Sequence, residues 1–294
     1  MISVVVESWN VDGRAAPLER LLRTLAPQLG DAELVITHAG VPDRVRLERA
    51  AGRAITWLAL PRTATYYDHK NRGFDATTGD IVAFLDADCE PAPGWLHAIT
   101  APIAAGRARV VAGATTYRGA LAPLASRLDF PYFTFDRTRG TVLNFFANNV
   151  AFARDVFAAH RYPAIEPMYH GQCQVLCLQL HAAGIPIQLA ADARATHAWP
   201  DSIVDWLTVR LLRGADTVSL LPHVVAHFAP RATRTVSRLG RAPALAVLGL
   251  RAATGSWLAV RDGPIVRGLA LVAAVTVVDA LGVAGGRAVY RALA

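Results

Sequence analysis

An apolar run that ends in two carboxylates constrains the fold of this chain most. Residues 81–85, IVAFL, show no polar alternation, which is typical of a strand buried on both faces of a sheet. Asp86 and Asp88 follow at once, separated by Ala87. Ligands bind at the carboxyl ends of strands in open α/β sheets, and two carboxylates one residue apart can share a divalent cation. The alternative is a polar turn in which Asp86 caps a helix starting near Pro93.

The residues around this strand form an ordered pattern. It consists of N-x-G, a small-residue segment ending in Gly-Asp, the apolar strand, D-x-D and P-x-x-W-L. The residues concerned are Asn71, Gly73, Gly79, Asp80, Asp86, Asp88, Pro93, Trp95 and Leu96. In this pattern the stretch resembles the core of the inverting family-2 glycosyltransferases. The resemblance implies a GT-A fold, an α/β domain with a mixed sheet flanked by helices, and a glycosyltransferase activity of the hexosyltransferase type.

The rest of the chain has the pattern of an α/β domain followed by an apolar, helical segment. Strands are predicted where apolar and β-branched residues cluster, at residues 2–7, 33–37, 55–60, 109–116 and 187–189. Helical spacing of apolar residues lies between them. We expect the GT-A domain to span residues 1–223 and an apolar, basic helical tail to span residues 224–294.

The resemblance also implies which residues bind the nucleotide sugar. They are Glu7, Asn10, His38, Lys70, Asn71, Asp86, Ala87, Asp88, Asn149, Arg210 and Arg213. Lys70 lies where the family often has a basic residue near the diphosphate, and its alternative is a solvated helix charge. His38 follows the second strand, where the family usually has an Asp that holds the base. It could contact the base or be an ordinary surface residue, so the nucleobase preference is left open. Asn149 could equally satisfy a turn.

The implied metal site combines the two acidic residues with a histidine. His197 matches a histidine that in many GT-A enzymes completes the metal or diphosphate site. Together, Asp86, Asp88 and His197 would hold manganese or magnesium, and a mixed oxygen and nitrogen shell favours manganese. The alternative for His197 is a structural role.

The general base is where the sequence departs from the family. Inverting members normally begin a later helix with Glu-Asp, whereas Gln172 and Cys173 occupy these positions here. A glutamine accepts no proton near neutral pH, and a thiol with an ordinary pKa of about 8.5 is an unusual base for a sugar hydroxyl. Glu166 or His170 could serve instead. Alternatively the acceptor needs little base assistance, or the chain binds a nucleotide sugar without turning it over.

The composition limits the partners and the compartment. The net charge is +7, the sequence pI is about 9.8 and the mean hydropathy is +0.29. The sequence contains no RNA-recognition signature and no zinc-ligand spacing, so we expect no nucleic-acid partner. The basic balance fits an anionic substrate or an anionic membrane surface. Three cysteines without a repeated spacing indicate a reducing compartment. No signal peptide is recognised, so we expect the catalytic part to face the cytosol.

The tail has the length of a membrane segment. Residues 268–286 are 19 residues without Lys or Arg and with one acidic residue, Asp279. Arginines flank this segment, at Arg261, Arg267, Arg287 and Arg291. Three arrangements are open: helices lying in or dipping into the membrane, helices packed on the domain or on a partner subunit of a homo-oligomer, and a true span.

These observations predict metal-dependent transfer of a sugar, with inversion, from a nucleotide-diphosphate sugar. The acceptor is unknown and could be a lipid, a glycan or a small molecule. The alternative is an inactive nucleotide-sugar-binding or scaffold protein, which the Gln172–Cys173 pair motivates. The protein is expected in the cytoplasm, either free or on the cytosolic face of the membrane.

Overall fold

The computed structural model describes residues 1–9, 14–40, 43–262 and 264–293. The described residues form two compact units. The first unit comprises Met1–Thr116, Tyr132–Tyr162 and Gln179–Ala198. The second comprises Tyr117–Pro131, Pro163–Leu178 and Trp199–Ala294.

One mixed sheet organises the first unit. Its strands are β1 Ile2–Glu7, β2 Glu33–His38, β3 Thr56–Ala59, β4 Ile81–Asp86, β5 Cys89–Pro91, β6 Val110–Thr116, β7 Thr134–Asp136, β8 Thr141–Val142, β9 Asn149–Ala153 and β10 Ile187–His197. The strand order is β3-β2-β1-β4-β9-β6-β10-β8-β7, with β5 paired to β10. Strands β1 to β4 run parallel, and β9 lies antiparallel between β4 and β6. The sheet is therefore of the mixed type that the sequence predicts.

The helices follow the apolar periodicity of the sequence. They are α1 Ala15–Leu25, α2 Arg44–Ala51, α3 Tyr66–Asp75, α4 Trp95–Ala104, α5 Ala122–Asp129, α6 Arg154–Ala159, α7 Gln172–Ala182, α8 Ile203–Phe228, α9 Thr233–Arg238, α10 Ala242–Asp262, α11 Ile265–Gly285 and α12 Arg287–Leu293. In α1 the buried leucines recur at the helical spacing of three and four residues, which gives the helix one core-facing stripe. Every residue of β4 is buried, as expected for a strand covered on both faces.

Two local expectations are wrong. The strand predicted at residues 187–189 is longer, because β10 runs from Ile187 to His197. A register shift between Ala190 and Arg194 accommodates this extension, and the end of the strand pairs with β5. The alternative in which Asp86 caps the next helix also fails, because α4 begins after Gly94 without a side-chain cap.

The second unit is helical and contains tightly packed glycines. Helix α8 runs without interruption through residue 223, where we expected the domain to end. Gly214 of α8 approaches α11 so closely that an added Cβ would lie 2.1 Å from the backbone oxygen of Asp279. An added Cβ at Gly282 of α11 would lie 2.2 Å from the backbone oxygen of Leu211. The two helices therefore pack backbone to backbone, which larger residues would prevent.

Two helices of the second unit are long and apolar enough to cross a membrane. They are α10, with a mean hydropathy of 1.3, and α11, with a mean hydropathy of 2.0. Buried core helices of soluble proteins can have the same length and composition.

Candidate active site

Three strand ends form one row at the carboxyl edge of the sheet. Glu7 of β1 is paired with Thr37 of β2 on one side and with Asp86 of β4 on the other. All three residues are buried. Helix α3 packs on β1 and β2 and brings polar side chains to this row. The fold therefore gathers charged groups at the sheet edge where ligands bind in α/β proteins.

Asp86 is held by two donors from α3. The Tyr66 hydroxyl lies 2.9 Å from each carboxylate oxygen, and Lys70 Nζ donates to Oδ1 at 2.6 Å. The Lys70 side chain is 0% exposed, so the interpretation of Lys70 as a solvated helix charge is wrong. Because buried charges require paired and hydrogen-bonded surroundings, the carboxylate of Asp86 is committed to these protein groups.

Glu7 adds a second buried carboxyl group beside Asp86. Its Oε2 accepts a hydrogen bond from the backbone N–H of Trp9 at 2.8 Å. Burial raises the pKa of Glu7 well above its ordinary value, and the nearby Asp86 raises it further, whereas Lys70 lowers it. Raised pKa values favour the neutral form, so Glu7 is poorly suited to carrying a fixed negative charge toward a diphosphate.

Asp88 and His197 form a second and more accessible pair. Their Oδ2 and Nε2 atoms lie 3.6 Å apart, and their side chains are 16% and 18% exposed. Burial raises the pKa of Asp88, an effect that His197 opposes and Asp86 reinforces. His197 Nδ1 lies 2.7 Å from the carbonyl oxygen of Ala198. A carbonyl only accepts, so Nδ1 carries a hydrogen, and Nε2 is the ring nitrogen that faces Asp88.

This pair fits a divalent cation. Two ligands of one ion, each about 2 Å from it, lie about 3 to 4 Å apart. A histidine that binds a metal commonly donates its other ring N–H to a carbonyl group. The accessible carboxylate of Asp88 and Nε2 of His197 meet both conditions, whereas Asp86 is already held by Lys70 and Tyr66. The three residues expected to ligate the metal therefore have different surroundings.

His38 is not a surface residue. It is 2% exposed, its Nδ1 contacts the carbonyl oxygen of Gly40, and its ring packs edge-on against Trp57. Burial lowers the pKa of His38, which favours the neutral ring. The alternative that it is an ordinary surface histidine is therefore wrong.

Two further expected nucleotide-binding residues, Ala87 and Asn71, donate hydrogen bonds to backbone carbonyls of the first unit. The backbone N–H of Ala87 donates to the Glu7 carbonyl at 2.9 Å, which continues the β1–β4 pairing past Asp86. Asn71 Nδ2 donates to the carbonyl of Tyr162 at 3.0 Å. Asn10 lies outside the described residues.

Asn149 is a core residue of the first unit. Its Oδ1 accepts from Trp95 Nε1 at 2.8 Å, and its Nδ2 donates to the carbonyl of Ala193 at 3.0 Å. The side chain is 0% exposed. These bonds tie β9 to α4 and to β10, so the amide is used within the protein, as a residue that satisfies local structure would be.

In the second unit, Arg210 and Arg213 belong to an ionic cluster. Arg210 Nε donates to Asp279 at 2.8 Å, and Arg213 Nη1 lies 2.9 Å from Asp129. Arg251 bridges both acids, at 3.0 Å from Asp129 and 2.9 Å from Asp279. Arg210 is 1% exposed. Arg210 therefore stabilises the packing of α8 on α11. A guanidinium bonded to Asp279 is not available for the contact to donor phosphates that we expected.

The two candidate bases also lie in the second unit. Glu166 is exposed, and His170 is half-buried. The backbone N–H groups of Tyr169 and His170 donate to Asp216 of α8, at 2.6 and 2.7 Å. The Tyr290 hydroxyl of α12 donates to the same carboxylate at 2.7 Å. Asp216 therefore anchors the backbone that carries the candidate bases.

Gln172, the first residue of α7, bonds to the segment that precedes the helix. Its Nε2 donates to the carbonyl of Met168 at 2.9 Å and lies 3.5 Å from that of Ile165. The residue is 5% exposed. A carboxylate could not donate to these two oxygens, which gives a physical reason for glutamine here.

Sequence reasoning did not identify Tyr66, His69 and Cys89. Tyr66 could have been found, because it lies four residues before Lys70 and so on the same face of α3. His69 Nδ1 lies 3.1 Å from Thr37 Oγ1 and the residue is fully buried. Cys89 lies beside Asp88 and His197, and a single cysteine in a strand carries no local signal.

The comparisons with known proteins concern the family and the fold of the chain. Residues 3–163 match Glycosyl transferase family 2. No curated protein sequence shows significant similarity to the chain. Among solved structures, a mannosyltransferase from Pyrobaculum calidifontis is similar, with a TM-score of 0.60 and 18% identity over 95% of this chain and 86% of that one. A glucosyl-3-phosphoglycerate synthase from Mycobacterium tuberculosis has a TM-score of 0.52 and 20% identity over 77% of this chain and 78% of that one.

The family match covers more than half of the chain, and the similar structures have the same fold. The predicted GT-A architecture and the predicted glycosyltransferase class are therefore confirmed. Glu7, Asp86 and Asn149 lie within the matched residues 3–163. The chain belongs to glycosyl transferase family 2.

Proposed function

We propose that this chain transfers a sugar from a nucleotide-diphosphate sugar to an acceptor, with a divalent metal ion held by Asp88 and His197. The observation that carries the proposal is the facing pair of Asp88 Oδ2 and His197 Nε2, both accessible to solvent. It lies next to Asp86, whose charge is already balanced by Lys70. The similar Pyrobaculum mannosyltransferase was solved with GDP-Man and Mn²⁺, and the mycobacterial synthase with Mn²⁺ and UDP.

In this proposal the residues of the site have different roles. A bound divalent cation supplies positive charge for a diphosphate that becomes a leaving group. Asp88 and His197 would hold it, and the His197 ring is oriented by its bond to the carbonyl of Ala198. Lys70 and Tyr66 keep the Asp86 carboxylate in one orientation, and this gives the sheet edge a fixed electrostatic pattern.

The transfer proceeds with inversion through a single displacement, and a group near the acceptor takes the proton from its hydroxyl. Glu166 or His170 is the proposed base, because Gln172 is bonded to backbone carbonyls and has no basic group. The Asp216 anchor holds the backbone of His170 in place, which a positioned base requires.

Donor turnover tests this function. The purified chain is incubated with a panel of nucleotide sugars, Mn²⁺ and acceptor extracts, and free nucleoside diphosphate is measured. We expect release with at least one donor and loss of release in Asp88→Asn. The matched control is Asp192→Asn, because Asp192 is also in the first unit and its side chain is 92% exposed.

The rival function is a nucleotide-sugar-binding protein without turnover, and Gln172 is the observation that favours it. Tight, metal-dependent nucleotide binding without release from any donor would support this rival and overturn the transferase proposal. If neither binding nor release depends on Asp88, the proposed metal site is wrong as well.

We further propose that the outward face of α10 and α11 associates with the membrane. This face includes large apolar side chains that are 47 to 81% exposed, namely Leu245, Leu250, Trp257, Val260, Ile265, Val266, Val277 and Leu281. Each helix has 21 residues, which corresponds to about 31 Å and matches a hydrocarbon core of about 30 Å.

The positions of the charged residues on α10 and α11 also fit membrane association. Arg251, in the middle of α10, and Asp279, within α11, are turned inward and paired at 2.9 Å. The remaining basic residues lie near the helix ends, where Arg261 stacks on Trp257 at 4.4 Å. Arginine and tryptophan at the ends of apolar helices favour the membrane interface.

Vesicle flotation tests this association. We expect the full chain to float with vesicles and to float less as the double variant Leu250→Glu/Val266→Glu. Val45→Glu is the matched control, because Val45 is 70% exposed on α2 of the first unit. A monomeric chain that stays at the bottom of the gradient would contradict the proposal. A dimer that the double variant dissociates would show that a second copy covers this face.

A further inference from the structure

Cys89 is placed to contribute a third donor atom to the cation site. Its side chain lies directly after Asp88, and its strand β5 pairs with the end of β10. We propose that Cys89 binds the metal as a thiolate together with Asp88 and His197, which makes the site selective for softer divalent ions than Mg²⁺. The inference rests on the proposed metal site of the transferase and deepens it.

The pairing of β5 with β10 brings Cys89 next to His197. Cys89 and His197 are direct partners in the antiparallel β5–β10 pair. Side chains of directly opposed residues lie on the same face of a sheet, with Cβ atoms about 5 Å apart. The ligand atoms of Asp88, Cys89 and His197 all lie within 4.8 Å of one another. Cys89 Sγ is 3.9 Å from Asp88 Oδ1.

These separations are close to those of a formed site. Metal–sulfur and metal–nitrogen bonds of about 2.3 and 2.1 Å place the ligand atoms of one ion about 3 to 4 Å apart. The Asp88–His197 pair at 3.6 Å and the Cys89–Asp88 pair at 3.9 Å meet this condition, and the Cys89 and His197 ligand atoms lie within 4.8 Å of each other. Small side-chain rotations would therefore complete a three-donor set.

Without a metal, Cys89 behaves as a buried thiol. It is 0% exposed and packs in the same apolar cluster as Ala87 and Trp95. Burial raises the pKa of its thiol well above the ordinary value, and Asp88 raises it further. Metal binding replaces the S–H bond by a sulfur–metal bond, and the proton is released to solvent. A purely structural cysteine would show no change when the metal binds.

The thiolate changes which ions the site accepts. Mg²⁺ prefers oxygen ligands in octahedral geometry, whereas thiolate and imidazole favour ions such as Zn²⁺, Co²⁺ and Cd²⁺. Two anionic ligands also balance the charge of a divalent ion. We therefore expect the metal to bind before any nucleotide is present.

Cobalt absorption provides the test. Co²⁺ is titrated into the full metal-free chain without nucleotide, and the near-ultraviolet thiolate-to-cobalt charge-transfer band is recorded. The other cysteines are Cys173 and Cys177, both buried. We expect the band in the wild type and in Cys173→Ser/Cys177→Ser, where Cys89 is the remaining thiol. We expect no band in Cys89→Ser or Cys89→Ala.

Competition between ions gives a second measurement. The preference for Cd²⁺ over Mg²⁺ should fall about tenfold or more in Cys89→Ala. In the Cys173→Ser/Cys177→Ser chain, saturable Co²⁺ binding without a thiolate band would overturn the inference, even if the Cys89 variants do not fold. Donor turnover that persists in that case would leave the proposed function intact. Loss of both Co²⁺ binding and turnover would overturn the inference and the proposed function together.

Discussion

Lys70 Nζ lies 2.6 Å from Asp86 Oδ1, and the two side chains are 0% and 3% exposed. This buried ion pair gives Asp86 a different environment from Asp88, the other acid of the D-x-D stretch. Asp86 stabilises the sheet edge, whereas Asp88, which faces His197 and is 16% exposed, is available to a ligand. The two carboxylates should therefore respond differently to neutralisation.

We expect Asp86→Asn to lower the free energy of unfolding by about 3–5 kcal/mol, because Lys70 would remain as a buried charge without its counterion. Asp88→Asn should change stability by less than about 1 kcal/mol and abolish Mn²⁺ binding. Urea unfolding and calorimetry measure the two effects. Equal loss of stability in both variants would contradict this division of roles.

Acidification should destabilise the first unit through His69. Burial lowers the pKa of His69 from 6.5 to about 4, so the unfolded chain takes up this proton first. The stabilising contribution is complete above pH 6.5 and is lost as the pH falls toward 4. We expect a loss of about 1–3 kcal/mol over this range, and a smaller one in His69→Gln. Urea midpoints across the range test this, and parallel curves for the two chains would refute it.

Gln172→Glu should destabilise the chain without creating activity. The carboxylate cannot donate to the carbonyls of Met168 and Ile165, so we expect a loss of about 1–3 kcal/mol. Gln179→Glu is the control, because Gln179 is exposed on the same helix. Unfolding midpoints and donor turnover are measured for both variants. An increase in turnover at unchanged stability would show that residue 172 faces the acceptor.

Gly214→Ala should loosen the packing of α8 on α11. The added Cβ would lie 2.1 Å from the backbone of Asp279, and a backbone cannot move aside as a flexible side chain can. We expect a loss of about 1–3 kcal/mol. Gly249→Ala on α10 meets nothing within 4 Å and should be neutral or gain up to about 1 kcal/mol. Thermal unfolding in the same buffer compares the two variants.

The sequence predicted those strands and helices that are marked by a pattern of apolar residues within the element itself. The apolar runs of β1, β2 and β4 and the leucine stripe of α1 lie where expected, because burial on one or both faces imposes a periodicity on the residues themselves. The extension of β10 was missed, since it depends on pairing with β5, which is about a hundred residues earlier.

The site was predicted in part for the same reason. Asp86 and Asp88 belong to the ordered pattern of residues 71–96, and His197 was proposed from the family resemblance. The distinction between the two acids depends on which helix residues reach them. In the sequence, Asp279 is the one acidic residue of the apolar segment 268–286, and nothing local indicates its partner. In the structure it is paired with Arg210 and Arg251, which are 69 and 28 residues away in the chain.

The indole of Trp95 provides a built-in reporter for the proposed metal site. Its N–H is shielded from water and bonded to Asn149, and its ring packs in the cluster that contains Ala87 and Cys89. Binding of a metal at Cys89 or Asp88 would alter the electrostatic field at the Trp95 ring without exposing the ring to water. In a nuclear magnetic resonance spectrum of a ¹⁵N-labelled sample, the Trp95 indole signal should therefore shift on titration with a diamagnetic ion such as Zn²⁺ while its slow hydrogen exchange persists. Occupancy could then be followed without a substrate, an acceptor or an added label.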